Sequence, residues 1–152
     1  MSENVSSETV SPENVLPEDW AVPEITELNQ AWFSSETVTV QACAACETLQ
    51  HPPEEICHRC GSMELGSRTL SPTGTVHSYT VVHYAVNRAL ADSVPYAVVL
   101  VSLDDAPELR VIGNMPGVPI SDLEIGMPVE AIWEPRTVDD TTTVHLPQWQ
   151  PR

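Results

Sequence analysis

Cys43-Ala44-Ala45-Cys46, ten further residues, then Cys57-His58-Arg59-Cys60: this stretch decides how the 152-residue chain is read. Each pair lets two thiolates from one tight turn reach the same ion, and two such turns complete a tetrahedron. These four are all the cysteines of the chain. Two close pairs of this kind point to metal rather than to disulfides. Four thiolates leave no open coordination position, so the ion is expected to be zinc in a structural role, with iron or redox chemistry as the alternatives. His51 and His58 could substitute as ligands, but beside four cysteines they are expected to be exposed loop residues. The spacer is shorter than the roughly 15–20 residues usual between such pairs, yet long enough for a minimal ribbon hairpin. Without metal, a segment this poor in apolar residues is not expected to fold.

Working back toward the N-terminus, Val38, Val40 and Ala42 alternate and predict a short strand over Thr37–Ala42 leading into the first cysteine. Before it, Pro23–Ser34 carries Ile25, Leu28 and Trp32 at helical spacing, with Pro23, Glu24 and Glu27 suited to a first turn. One amphipathic helix cannot bury its own stripe; it packs on this domain or is offered to a partner. Met1 to about Trp20 is rich in Ser, Glu, Pro and Asn and is expected to be disordered or loosely attached, a solvated spacer with a docking peptide as the alternative.

Working forward, five strands are predicted: Thr75–Tyr84, Tyr96–Leu103, Leu109–Asn114, Val129–Trp133 and Thr141–Leu146. Tyr96–Leu103 (YAVVLVSL) is nearly all apolar and reads as the central buried strand. Ser121-Asp122-Leu123-Glu124 has a capping-box pattern that predicts a short helical turn, ended by Gly126. Asp104-Asp105 reads as a turn. Five strands with a small helical element between the third and fourth is the pattern of an OB-fold barrel. The expected architecture is mainly β: an acidic tail (1–20), an N-terminal helix (21–36), a rubredoxin-like zinc ribbon (37–70) and a five-stranded OB-fold barrel (71–152).

The charge narrows the function. Twenty-two acidic residues face six arginines and no lysine, a net of −16, and half of that net charge lies before Ala42. Such a surface repels a polyanion, because nucleic-acid affinity is built from phosphate neutralisation by Lys and Arg. The ribbon and barrel would otherwise suit a nucleic-acid-binding module, which is the alternative of another class. No apolar run is long enough to cross a membrane. The N-terminus lacks the blocks of a signal peptide, so the expected location is cytoplasmic. No nucleophile–base pair, G-x-S-x-G turn, H-E-x-x-H or phosphate-binding glycine loop is present. His77, Tyr79 and His83 are expected on one face of a long strand, either lining a binding surface or simply half-buried there.

The chain also resembles a known family, the zinc-ribbon/OB-fold proteins called domain of unknown function thirty-five. Trp32 stands where the family has a helix aromatic, and the four cysteines align with its ribbon, as do Pro52-Pro53 before the second pair. Gly74-Thr75-Val76 with Tyr79-Thr80, Pro95-Tyr96-Ala97-Val98 and Ile125-Gly126-Met127-Pro128-Val129 resemble its strand signatures, and Leu146-Pro147 with Pro151 its ending. Glu54-Glu55 stand where a basic residue is common, and Ser71-Pro72-Thr73-Gly74 is poorer in glycine than usual. The resemblance implies a non-catalytic accessory subunit of a thiolase-superfamily enzyme, an acyl-CoA thiolase or retro-aldolase, with steroid side-chain degradation as one setting. Its partner would carry the catalytic residues and share with this chain the coenzyme A moiety of the acyl-CoA substrate. Because this chain has only six arginines and no lysine, the partner is expected to supply most phosphate contacts. The ligand-facing residues expected here are Tyr79, His83, Arg88 and Tyr96, and the partner-facing ones Trp32 and Phe33. A partner of an enoyl-CoA hydratase is the alternative.

Overall fold

The computed structural model describes residue 17 and residues 20–152; most of the predicted acidic tail lies outside the described residues. After a four-residue helix, α1 (Gln30–Phe33), eight strands follow: β1 (Val38–Cys43), β2 (Leu49–Gln50), β3 (Leu65–Leu70), β4 (Thr73–Val82), β5 (Tyr96–Leu103), β6 (Ala106–Asn114), β7 (Pro128–Thr137) and β8 (Thr143–Pro151). They form two antiparallel sheets, a three-stranded one ordered β2-β1-β3 and a five-stranded one ordered β6-β5-β4-β7-β8. The second sheet curls until Gly113 of β6 lies against Trp149 of β8, where an added Cβ would meet the indole Cδ1 at 2.8 Å. The Asn114 N–H donates to Gln148 Oε1 at 2.7 Å across the same seam. The architecture is the expected one: mainly β, a ribbon, then a nearly closed five-stranded barrel.

Several local expectations are corrected. The helix predicted over Pro23–Ser34 is helical only at Gln30–Phe33. Asn29 takes over the backbone before it, accepting from the Thr26 N–H at 2.8 Å and donating from Nδ2 to the Glu24 carbonyl at 2.9 Å. Such side-chain bonds compete with a helix that is too short to persist alone. Trp32 alone of the predicted stripe is buried; Ile25 is half-buried and Leu28 exposed. The capping box over Ser121–Glu124 does not form: the turn is a 3-10 segment, Ile120–Asp122, begun by Pro119 with no side-chain cap. Gly126, at φ 92°, does end that connection.

Strand β4 departs from regular alternation at His77, where a bulge falls between Val76 and Ser78. His83 lies beyond the end of the strand. His77, Tyr79 and His83 are therefore not a regular row on one face. β5 is buried on one face only: Ala97, Val99, Val101 and Leu103 are buried, whereas Tyr96, Val98, Leu100 and Ser102 are half-buried. Asp104-Asp105 does turn the chain, and the Asp105 carboxylate accepts from the Ser71 N–H at 2.7 Å. That backbone bond, and then the Ser71 hydroxyl, hold Asp105 below the usual carboxylate range.

One hydrophobic core joins both sheets: Trp32, Val38, Val40 and Leu70 belong to the same cluster as Val76, Val99, Val101, Leu103, Val129 and Trp149. Beside it lies a buried polar group that the sequence did not announce. Glu134 is fully buried and pairs with Arg136 at 3.0 Å, while Gln148 Nε2 donates to Glu134 Oε2 at 3.0 Å. Arg136 Nη1 also donates to the Pro17 carbonyl at 2.9 Å and so holds the chain ahead of α1 on the barrel.

Gly74 shows why a family glycine stands in β4. A Cβ there would drive into the Ser102 carbonyl oxygen and meet Val101 Cγ1 at 2.6 Å. Overpacking of this kind costs about 1–3 kcal/mol. Gly74→Ala should lower stability by about that amount in urea unfolding followed by tryptophan fluorescence. Gly66→Ala, whose nearest contact would be 3.8 Å away, should change it by less than about 0.5 kcal/mol.

Candidate metal centre

The two cysteine pairs fold into two copies of one turn. In the first, the Glu47 N–H donates to the Cys43 carbonyl and the Cys43 N–H to the Thr48 carbonyl, both at 2.9 Å. In the second, Gly61 donates to Cys57 and Cys57 to Ser62 at the same distance. The residue four places after the leading cysteine is left-handed in both, Glu47 at φ 60° and Gly61 at φ 73°. The turns face each other, so that Cys43 and Cys60 sulfurs lie 3.7 Å apart and Cys46 and Cys57 sulfurs 3.6 Å apart. All four Sγ atoms lie within 4.8 Å of one another.

This donor set fits zinc. Zn–S bonds of about 2.3 Å place the corners of a tetrahedron about 3.8 Å apart, close to the spacings seen. The electrostatics agree. The Thr48 hydroxyl, then the Thr48 backbone, hold the Cys46 thiol down to about 6. The Ser62 backbone N–H favours the Cys60 thiolate, but Cys46, burial and the other two cysteines outweigh it and push Cys60 up to about 12. Four crowded thiols resist carrying four negative charges by themselves. Zinc would supply the dication they share, and its binding would release the remaining protons.

Two glutamines brace the second turn. Buried Gln50 donates from Nε2 to Gln41 Oε1 at 2.6 Å and to the Ile56 carbonyl at 3.1 Å. Its Oε1 accepts from the His58 N–H at 3.1 Å and lies 3.0 Å from His58 Nδ1. Gln41 completes the frame, accepting from the Glu54 N–H and donating to the Glu54 carbonyl, both at 2.9 Å. This frame extends the short β1–β2 pairing, in which Gln41 lies opposite Gln50, toward the second turn. Sequence reasoning passed over both residues, since nothing in a single sequence marks a glutamine as buried.

His51 corrects another expectation. His58 is exposed as anticipated, but His51 is half-buried, with its ring 4.0 Å from that of Trp32. Burial pushes its pKa down to about 4, and its Nδ1 has no hydrogen-bond partner. Trp32 and His51 line a groove of about 690 Å³ together with residues that include Leu28, Pro53, Glu27, Glu54 and Glu55.

The remaining residues singled out from the sequence lie elsewhere. Tyr79 is exposed on β4, His83 follows that strand, Arg88 opens the 3-10 turn Arg88–Ser93, and Tyr96 begins β5 opposite Val82. His83, Arg88 and Tyr96 border the connection between β4 and β5, whereas Tyr79 lies inside β4 opposite Val99. Among the described residues, no hydrogen bond or ion pair joins their side chains. Trp32 is 6% exposed and sits in the core; Phe33 packs against that core, half-buried.

A four-cysteine ribbon joined to an OB barrel defines a class of zinc-ribbon/OB-fold chains. Residues 35–66 match the family model described as "ChsH2, rubredoxin-like zinc ribbon domain", and residues 67–134 match "ChsH2, C-terminal OB-fold domain". The structure is similar to a chain of the "Ltp2-ChsH2(DUF35) aldolase", with a TM-score of 0.70 and 36% identity, covering 86% of this chain and 98% of that one. A DUF35 protein of unknown function from Sulfolobus solfataricus shares the fold, with a TM-score of 0.50 and 12% identity over 76% of each chain. A "Probable enoyl-CoA hydratase alpha subunit" of Thermomonospora curvata is 38% identical over 114 residues, 73% of this chain but 34% of the relative, so this chain spans about a third of that protein. The chain belongs to the ChsH2 zinc-ribbon/OB-fold family, also called DUF35, and its four cysteines form a structural zinc site.

Two outcomes follow from this geometry. Residues that orient metal ligands without touching the metal commonly contribute 10–100-fold in affinity. Gln50→Ala should weaken zinc binding within that range in competition with a chromophoric chelator, while Gln150→Ala, on β8, should leave it unchanged. The second outcome concerns His51. Its pKa is about 4 in the folded chain and about 6.5 unfolded, so between those values the unfolded chain binds more protons. The stability it contributes is full above about pH 6.5 and is lost as pH falls toward 4, by roughly 2 kcal/mol after discounting its partial exposure. His51→Phe should flatten this part of the acid-unfolding profile relative to wild type; an unchanged difference between pH 7 and pH 4.5 would show that His51 carries none of it.

Proposed function

We propose that this chain is a non-catalytic accessory subunit of a thiolase-superfamily enzyme, an acyl-CoA thiolase or retro-aldolase. Steroid side-chain degradation is one setting for it. The observation that carries this reading is the near-complete correspondence with a chain of the Ltp2-ChsH2(DUF35) aldolase, of which this chain covers 98%. In that arrangement the partner holds the catalytic residues, and this chain stabilises the complex and helps hold the acyl-CoA. Coenzyme A carries several negative phosphates, and a chain with six arginines against 22 acidic residues is poorly equipped to neutralise them. The partner therefore supplies most phosphate contacts, and this chain packs against the pantetheine or acyl part near Tyr79, His83, Arg88 and Tyr96.

A second reading is favoured by the 38% identical hydratase subunit: attachment to an enoyl-CoA hydratase rather than a thiolase-like enzyme. Both readings share the accessory role and differ in the partner.

The test is to co-express the tagged chain with a thiolase-like protein from the same organism and pass the eluate through a sizing column with metal analysis. The expected result is a stable zinc-containing complex that turns over an acyl-CoA, with this chain alone inactive. Within that complex, Arg88→Ala should change CoA affinity by no more than about twofold, the size expected when a surface arginine is not a principal phosphate ligand. Abolished CoA binding would overturn the division of phosphate contacts, and a chain that ignores the thiolase-like protein would overturn the accessory role.

A further inference from the structure

β4 has an edge that the barrel does not use. Its pairing with β7 covers only Thr73–Thr75. Beyond that, the Val76 N–H donates to the Met127 carbonyl and the Gly126 N–H to the Val76 carbonyl, at 2.9 and 2.8 Å. The bulge at His77 follows at once. From Ser78 to Val82 the strand is paired with β5 on one side, and among the described residues nothing is paired with its other side. Exposed residues run along this section, His77 through Thr80, and continue past it to His83, Tyr84 and Val86. Tyr84 and Val86 are the most exposed large apolar residues described, at 82% and 94%.

An open strand edge presents unpaired N–H and C=O groups, and proteins commonly blunt it with charges, especially lysine, or with proline. This edge carries neither. Thr69 to Asn87 is nineteen residues without Asp, Glu, Lys or Arg, in a chain whose net charge is −16. No proline lies between Thr73 and Val94. The composition from Val76 to Val86 is instead β-branched and aromatic, suited to sheet pairing. Past the bulge at His77, an exposed edge with neither charge nor proline is what strand addition by another protein requires.

We infer that the free edge of β4, His77–Val82, with Tyr84 and Val86 beyond it, is the docking edge for a β-strand of the partner protein. Charge selects the occupant. A second copy would bring −16 against −16, so self-pairing is opposed electrostatically. A neutral strand flanked by Lys or Arg meets the uncharged edge with its centre and the acidic surface with its flanks. Backbone bonds along the edge supply affinity; Tyr84 and Val86 supply apolar anchors of the kind that dominate interfaces. The inference rests on the accessory role proposed above, and its occupant is a strand of the thiolase-like subunit.

The test measures amide hydrogen exchange across His77–Val82 in the zinc-loaded full chain, alone and in complex with the thiolase-like protein. Alone, the amides facing away from β5 should exchange readily; in the complex they should be slowed at least tenfold. Ser78→Lys with Thr80→Lys adds two exposed cations to the edge and should weaken the complex at least tenfold while zinc content and unfolding midpoint stay put. Val138→Lys, exposed on the connection between β7 and β8, should leave affinity unchanged. A complex that forms with this edge still exchanging, or that tolerates both lysines, overturns the inference and leaves the accessory role standing. Slowed exchange in the isolated chain, with a dimer on sizing, would make a second copy the occupant and overturn the assignment. Absence of any complex overturns the accessory role and this occupant together.

Discussion

Four thiols within 4.8 Å of one another can be held there as thiolates only around a cation, and the ribbon depends on that constraint. Between Ala44 and Thr69 only Gln50 and Cys57 are buried. No apolar core exists in this stretch to offset the entropy of ordering it. Its form comes from two matching turns, from the metal they face, and from the Gln41–Gln50 frame that holds the second turn against the first strand. Zinc therefore acts here as the ribbon's core, and the glutamines extend the pairing of β2 with β1 to the second turn.

The barrel solves a different problem by different means. Its core is apolar and continuous with the inner side of β1, so the ribbon is seated on the barrel by Val38, Val40 and Trp32 rather than by a flexible tether. The barrel also carries costs. The Trp149 indole N–H is buried without a partner, and Glu134 is buried with its charge. Arg136 and Gln148 answer the carboxylate with hydrogen bonds to both of its oxygens. Breaking such a buried pair is more costly than its net contribution to stability, because it strands the remaining charge.

The legibility of the chain follows the range of the interactions involved. The four cysteines, the strand β5 and the order of strands could be read because spacing and alternation are local. The resemblance to the DUF35 family could be read because its motifs keep their order. What failed was governed by contacts distant in sequence or by competing local bonds. Asn29 captured the backbone ahead of α1, so the helical spacing of Ile25, Leu28 and Trp32 produced one turn. A bulge at His77 broke an alternation that the residues themselves suggest. His51 looked like a loop residue beside cysteines, yet it stacks on Trp32 from a distant part of the chain. Gln50 and Glu134 look like surface residues in any single-sequence reading, and each is buried because specific partners await it.

The junction between the two units explains how a metal site without catalytic capacity can matter to a surface well outside it. β3 carries the chain out of the ribbon and, after Ser71 and Pro72, becomes β4. Those two residues and Thr73 are pinned to the barrel: Ser71 N–H to Asp105, Ala131 N–H to the Pro72 carbonyl at 2.7 Å, and Asp104 N–H to the Thr73 carbonyl at 3.0 Å. The next residue is Gly74, packed so closely on Ser102 that β4 has little freedom to shift along β5. Ribbon, junction and strand thus form one stiff path from the zinc turns to the start of the open section of β4. A rigid scaffold lowers the entropy lost when a partner docks on it, so at the docking edge proposed above the metal would contribute by holding a surface in place rather than by touching what binds there.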